Sequence, residues 1–425
     1  MSSDDFVDDI VPDKLPEHSQ PAPGRADFRP WHRVRKEFIR REQWNLLTRR
    51  MIVGRWKREL HQPDDAWSLD EPTAEPAVTL DPVAPLLTQP LRCLVLPGED
   101  LLDVRALYRD IDELKCRVKY LGFNESEGSD EVGTRVHISN NEVTSLPNVL
   151  RDSMVVRDQF EALASPASMA TQYLKRFGPY HVVNLDLCGS IFPNTVKDCT
   201  SFYQALTELL RYQCMNQRSE WLLFITTMVQ PNVVHSERFN VLGQPTRQNY
   251  DQYADFANLI TGLIPEAAFP TAPPPPIDTA PLDNGQMIQL FSLAFGKWLL
   301  SFCETAQPHW TVAMRRSFTY PMNDAEGAVM LSLAYELKPN LVPPVDPTGM
   351  TTQQAAPGNP FPTERDCAMK MIASVDGMRD VAAILAADNA LKDQLRDAQA
   401  RLLEAAGYDP QAYREWVADG EVSAA

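Results

Sequence analysis

Short apolar runs closed by turn residues alternate with amphipathic stretches through the middle of this chain. Leu91–Leu96 is such a run and ends at Pro97-Gly98. A run of that length bounded by turn residues predicts a strand buried on both faces. Leu101–Leu114, where acids alternate with apolar residues, predicts a helix. Cys116–Phe123 predicts a second strand, ending at Asn124-Glu125, followed by a polar loop and then a short helix or loop over Glu142–Leu150. Ser153–Arg157 reads as a short third strand and Phe160–Phe177 as helical. His181–Leu187 reads as the fourth strand, closed by Cys188-Gly189. Ser201–Asn216 places Phe202, Leu206, Leu209 and Leu210 on one helical face, and Trp221–Val229 reads as the fifth strand. Ala313–Pro321 and Val329–Leu337 predict two antiparallel strands that close the sheet. Strands and helices alternating in this way predict an α/β fold with a doubly wound, mostly parallel sheet of about seven strands. Ligands in such sheets sit beyond the C-terminal strand ends, where strand order reverses.

This core spans 88–340 and contains an expected insertion at 230–310: a helix over Tyr250–Ile264, an extended proline-rich spacer over Pro265–Pro281, and an apolar helix over Gln286–Cys303. Residues 1–27 read as an acidic disordered arm. Residues 61–87 and 341–363 read as linkers. Residues 364–425 read as a helical C-terminal region, split at Gly407–Pro410, with Leu385, Leu391, Leu395, Leu402 and Leu403 as its apolar positions.

Residues 28–60 change the picture through their charge. Val34, Phe38, Ile39, Leu46 and Leu47, with Trp31 and Trp44 beside them, predict an amphipathic helical arm. Arg29–Arg58 carries eleven Lys/Arg and two acids, a local +9 that leaves −26 for the rest of a chain with net charge −17. Two readings follow. The arm docks its aromatic face on the acidic body or on an acidic protein partner. Alternatively it contacts nucleic acid, with arginines on phosphates and tryptophans stacking on bases. Arg33, Arg35, Lys36, Arg40 and Arg41 are the candidate binding residues in both.

Candidate chemistry is sparse. Seven cysteines without a C-x-x-C read as reduced residues of a cytoplasmic protein, Cys188 among the core ones. The histidines lack metal-ligand spacing, so no metal is expected. His181 starts the strand that Cys188 follows and is too far away to be its base. No H-E-x-x-H, G-x-S-x-G or P-loop occurs, and no apolar run is long enough for a membrane span. Asp186 ends an apolar strand at the expected reversal point, so it is either a site residue or a cap for the next helix. Asp158 has the same two readings. Glu99, Asp100 and Asp103 read as acids that complement a helix N-terminus.

Five α/β strands followed by two closing antiparallel strands resemble the class I S-adenosylmethionine-dependent methyltransferases over about residues 88–340. By that resemblance, Gly98 in Pro97-Gly98-Glu99-Asp100 stands at the cofactor turn. Asn124 and Glu125 stand where the family holds the ribose, Asp158 beside the adenine, and Asp186 in Asn184-Leu185-Asp186-Leu187-Cys188 at the acidic motif ending the fourth strand. The turn departs from the family's glycine-rich pattern, with one glycine and two acids. Neither a D-P-P-Y or N-P-P-Y nor a Pro-Cys is present. The resemblance thus implies a methyltransferase-like protein with a degenerate cofactor pocket. The alternative it leaves is an active enzyme with Asp186 as catalytic residue and S-adenosylmethionine as cofactor. The chain also resembles uncharacterised bacterial proteins of mobile-element and phage-defence islands, on Trp31–Lys36, Leu96–Gly98, Leu121–Asn124 and Asn184–Cys188. That resemblance implies a binding or assembly role in a nucleic-acid-related complex. A third reading is an acidic surface that engages a basic protein partner.

Overall fold

In the computed structural model, residues 24–59, 68–70, 89–125, 130–193, 201–230, 234–270, 276–321, 329–341 and 361–421 are described. Residues 1–23 of the acidic arm expected to be disordered over 1–27, most of the two linkers, the prolines at 271–275 and the last four residues lie outside them.

One mixed sheet organises the chain. Its strands are β1 (Leu91–Val95), β2 (Val118–Phe123), β3 (Met154–Val156), β4 (Val182–Asp186), β5 (Trp221–Met228), β6 (Trp310–Pro321), β7 (Val329–Pro339) and β8 (Arg379–Asp380). They lie in the order β3-β2-β1-β4-β5-β7-β6-β8. β7 is antiparallel to both neighbours, and every other pairing is parallel. Strand order reverses between β1 and β4, so the crevice expected for this topology opens beyond Val95 and Asp186. The apolar runs predicted as strands are the strands, because two-sided burial demands near-continuous apolar sequence.

The two sheet faces are covered differently. One carries α5 (Met169–Phe177), α6 (Ser201–Asn216), α7 (Ser236–Gln252), α9 (Asn284–Glu304) and α10 (Glu364–Asp376), with α8 (Ala254–Thr261) packed outside them. α9 buries residues around its whole circumference, Leu290, Phe291, Leu293 and Leu299 among them. That is the pattern of a helix enclosed on all sides. It makes the end of the expected insertion part of the core. No helix among the described residues is long and apolar enough to cross a membrane.

The other face carries α3 (Leu102–Ile111), α11 (Val381–Ala387), α12 (Asn389–Glu404) and the basic arm. The arm is one nearly continuous helix: α1 (Val34–Ile39), a π-helical turn over Arg40–Asn45, then α2 (Leu46–Glu59). The π-turn adds a residue to the helical repeat and lets Gln43 face inward. Gln43 Nε2 donates to Arg316 O at 2.8 Å and Ser332 O at 3.0 Å. Arg316 lies in a β-bulge of β6, between Arg315 and Phe318, where ladder pairing is interrupted. Helix irregularity and strand irregularity therefore satisfy each other. α13 (Pro410–Ala418) closes against the start of the arm through Phe28, Tyr408, Tyr413 and Trp416.

Three helical stretches differ from expectation. Phe160–Phe177 is broken into a 3-10 helix over Phe160–Ala164 and α5, which begins at Met169 behind its Ser168 cap. α4 (Asp130–Ser145) occupies much of the predicted polar loop; its apolar positions Val132, Val136 and Val143 are too sparse to give a clear period. α7 begins well before Tyr250, because Pro245, normally a helix breaker, is accommodated in its interior.

Candidate functional site

The crevice beyond β1 and β4 is built from the turn Pro97–Asp100 and the residues after Asp186. Gly122 on β2 lets Pro97 pack down: a Cβ there would lie 2.9 Å from Pro97 Cγ. Asn124 Nδ2 donates to Pro97 O at 2.7 Å and pins the turn from the side. The turn ends on Leu101, fully buried in a left-handed conformation at φ 51°. That strain is held by its burial.

The acids of the turn are engaged by the chain's own cations. Asp100 accepts from Arg25 Nη1 at 2.7 Å and from the Tyr408 hydroxyl at 2.8 Å. Arg25 also lies 4.0 Å over the Tyr408 ring. Glu99 pairs with Arg135 at 3.1 Å and with Arg25 at 3.5 Å. Asp103, in the first turn of α3, accepts from Arg40 Nε at 2.8 Å. The acids do stand where a helix begins, but ion pairs hold them as well as the macrodipole. A segment before the arm and a residue after α12 together cover the turn.

Asp186 is not a helix cap. Its Oδ1 accepts from Lys36 Nζ at 2.5 Å. The same ammonium donates to the Tyr320 hydroxyl at 3.2 Å and sits 4.8 Å above the Trp44 ring. Burial lowers the Lys36 pKa, but Asp186 and Tyr320 carry it above the ordinary lysine value. Burial pushes the Asp186 carboxyl up while Lys36 pulls against it. Burial also pushes the Tyr320 phenol up to about 12. The result is a lysinium enclosed by a carboxylate, a phenol and an indole, a strong arrangement at low dielectric.

Of the residues expected to hold a cofactor, Gly98, Asn124, Glu125 and Asp158 lie along one rim. Gly98 is exposed, and a Cβ there would meet open space. Glu125, exposed, bonds the Gln159 side chain. Asp158 accepts from the Gln159 backbone N–H at 2.8 Å and shapes the turn before Phe160. Cys188, expected in the core, is exposed, because the chain leaves the sheet at Asp186. His181 is committed elsewhere: its Nδ1 accepts from Arg92 N at 3.0 Å, and burial holds its pKa well below the usual value. Among the described residues, no group of three or more His, Cys, Asp or Glu is placed to hold a metal.

The candidate arm residues divide sharply. Arg33, Lys36 and Arg40 are buried. Arg35 donates to Pro321 O at 2.9 Å and pairs with Glu421 at 3.4 Å, and Arg33 donates to Glu421 O at 3.2 Å. Arg41 is 44% exposed beside Glu42. Farther along, Arg55 and Arg58 hold Glu220. Docking in cis, one of the two readings of the arm, is thus its observed state. Arg25, Gln43, Tyr320 and Tyr408 were not signalled by sequence. The one usable signal is the spacing of Lys36, Arg40 and Gln43, which share a helical face with one another.

No curated protein and no solved structure matches the chain. A family model described as PP_RS20740-like matches residues 25–418, from the arginine that covers the β1 turn to the end of α13. The chain, arm and C-terminal helices included, belongs to the PP_RS20740-like family.

Proposed function

We propose that this protein is a methyltransferase-like scaffold whose cofactor crevice is closed by its own arm, and that it acts as a cytoplasmic binding or assembly component of a bacterial nucleic-acid-related complex of the phage-defence kind. The strand order, with an antiparallel strand inserted beside β5, supports the methyltransferase-like part. The observation that carries the closed crevice is the Lys36–Asp186 pair. The acid that would serve a ligand is already neutralised by an internal cation. That cation belongs to a helix anchored by Val34, Phe38, Ile39, Trp44, Leu47 and Ile52, all buried. Displacing the helix would expose all of this apolar surface, at roughly 1.5–3 kcal/mol per large side chain. A ligand cannot readily supply that.

With most of the arm's cations engaged in cis, a nucleic-acid contact through it runs over its outer edge, where Arg41 and Arg58 are 44% and 41% exposed. The acidic remainder of the chain is the surface offered to a basic protein partner.

The active-enzyme reading is favoured by one feature: the rim carrying Gly98, Glu125, Cys188 and Gly189 is exposed. Calorimetric titration with S-adenosylmethionine separates the two. The scaffold reading expects no binding heat from the folded wild type. Micromolar binding that is lost in Asp158→Ala and Asp186→Ala would replace it with the enzyme.

A further inference from the structure

Between the arm and the sheet lies a small void, of about 20 Å³, bordered by Trp44, Asn45 and Thr48 of the arm, Asp103 of α3, and Val95, Val182, Asn184 and Phe224 of the central strands. Three of these residues each hold one buried polar atom with no hydrogen bond: Trp44 Nε1, Thr48 Oγ1 and Asn184 Oδ1. We propose that a single water molecule is bound there as a fixed part of the interface, joining the arm to β4.

The chemistry of the three atoms identifies the ligand. The indole N–H can only donate, the amide oxygen can only accept, and the threonine hydroxyl can do either. One molecule that accepts once and donates twice, or accepts twice and donates once, satisfies all three. An anion would face the Asp103 carboxylate. A cation would find no donor-free set, because Trp44 presents a hydrogen and Asp103 is already held by Arg40 at 2.8 Å. Size excludes anything larger: a water needs about 10–15 Å³ of such space and two to four polar partners. Without it, three buried groups would each carry a desolvation cost of about 1–3 kcal/mol. The remaining walls, Cys93, Leu107, Val118 and Tyr120 among them, are buried. The site also adjoins the ion pairs, since Trp44 is the ring beneath the Lys36 ammonium. The bound water therefore extends one polar network from Asp186 through the arm to Asn184. This inference is independent of whether the crevice is active.

Two measurements on the full chain test it. A crystal structure at high resolution should show a solvent peak at roughly 2.7–3.2 Å from all three atoms. Oxygen-17 relaxation dispersion should count one fewer long-lived internal water in Trp44→Phe with Thr48→Val, which leaves the water a single partner, than in wild type. A clean map without a peak, a peak bonded to none of the three atoms, or an unchanged count in the folded double variant overturns it. If the double variant does not fold, the wild-type map decides.

Discussion

The two faces of the sheet are closed by different means. On the side that α9 helps to cover, the strands offer Leu121, Val183, Leu185, Leu223 and Ile225, and the helices answer with Leu174 of α5, Leu206 and Leu209 of α6, and Leu290, Phe291 and Leu293 of α9. Apart from the Tyr335 hydroxyl, which donates to Ser292 O at 3.5 Å, that side is closed by apolar residues, and its stability comes from area and close packing. Against the arm, the same strands offer Val182, Leu222 and Phe224 at one end but Asn184, Asp186 and Thr226 toward the other. The arm answers with Lys36, Arg40 and Gln43. Glu37, fully buried, is held by Arg109 at 2.7 Å. An apolar face can be covered in several registers, whereas a face of paired charges has one register that leaves nothing unpaired. The arm is placed by its polar residues and held by its apolar ones.

The largest effect should come from splitting the central pair. Lys36→Ala leaves the Asp186 carboxylate buried and unpaired, and should lower the unfolding free energy in denaturant titration by about 3–5 kcal/mol. Lys36→Met with Asp186→Leu should recover most of that loss. If the double variant is no better than the single, the pair itself holds the arm in place. On the other face, Leu293→Ala should cost about 2–5 kcal/mol, with no second-site polar change able to restore it.

A pH titration sharpens the comparison next. Burial, with Arg40, Arg25 and Arg29 adding to it, holds His32 down to about 3. The unfolded chain binds that proton near pH 6.5. This contribution is therefore complete above pH 6.5 and falls as pH drops, by about 1.4 kcal/mol per unit, until about pH 3. His32→Gln should flatten the stability profile between pH 6 and 4 by roughly that slope; an unchanged profile would mean that His32 titrates normally. The smallest effect is expected at the arm's edge. Arg49 reaches Glu113 across an exposed surface, so Arg49→Ala should cost less than about 1 kcal/mol and respond to salt.

The same contrast explains what the sequence disclosed. The central strands and α6 were legible because two-sided burial writes itself locally as apolar runs and periods. The arm's apolar positions Val34, Phe38, Ile39, Leu46 and Leu47 were legible too, and all are buried. Trp31, placed beside them by spacing, is 38% exposed. The inward turn of Lys36, Arg40 and Gln43 was not legible, since local pattern assigns charge to solvent. Their partners stand far along the chain, Asp103 at 63 residues and Asp186 at 150. The β1 and β4 ends were found as candidate positions, but the cover over them comes from Arg25, Lys36 and Tyr408, whose roles depend on distant acids. α4 and α7 were obscured by scattered polar residues and by Pro245.

The contact between Arg33 and Glu421 spans 388 residues. At about 5–20 residues per second of synthesis, the arm leaves the ribosome roughly 20–80 s before that partner exists. During that interval a strongly cationic helix bearing Trp44, Phe38 and Ile39 has only part of its seat available. A nascent chain stalled before α11 should therefore present the arm to acidic chaperone or ribosomal surfaces, and release from the stall should withdraw it.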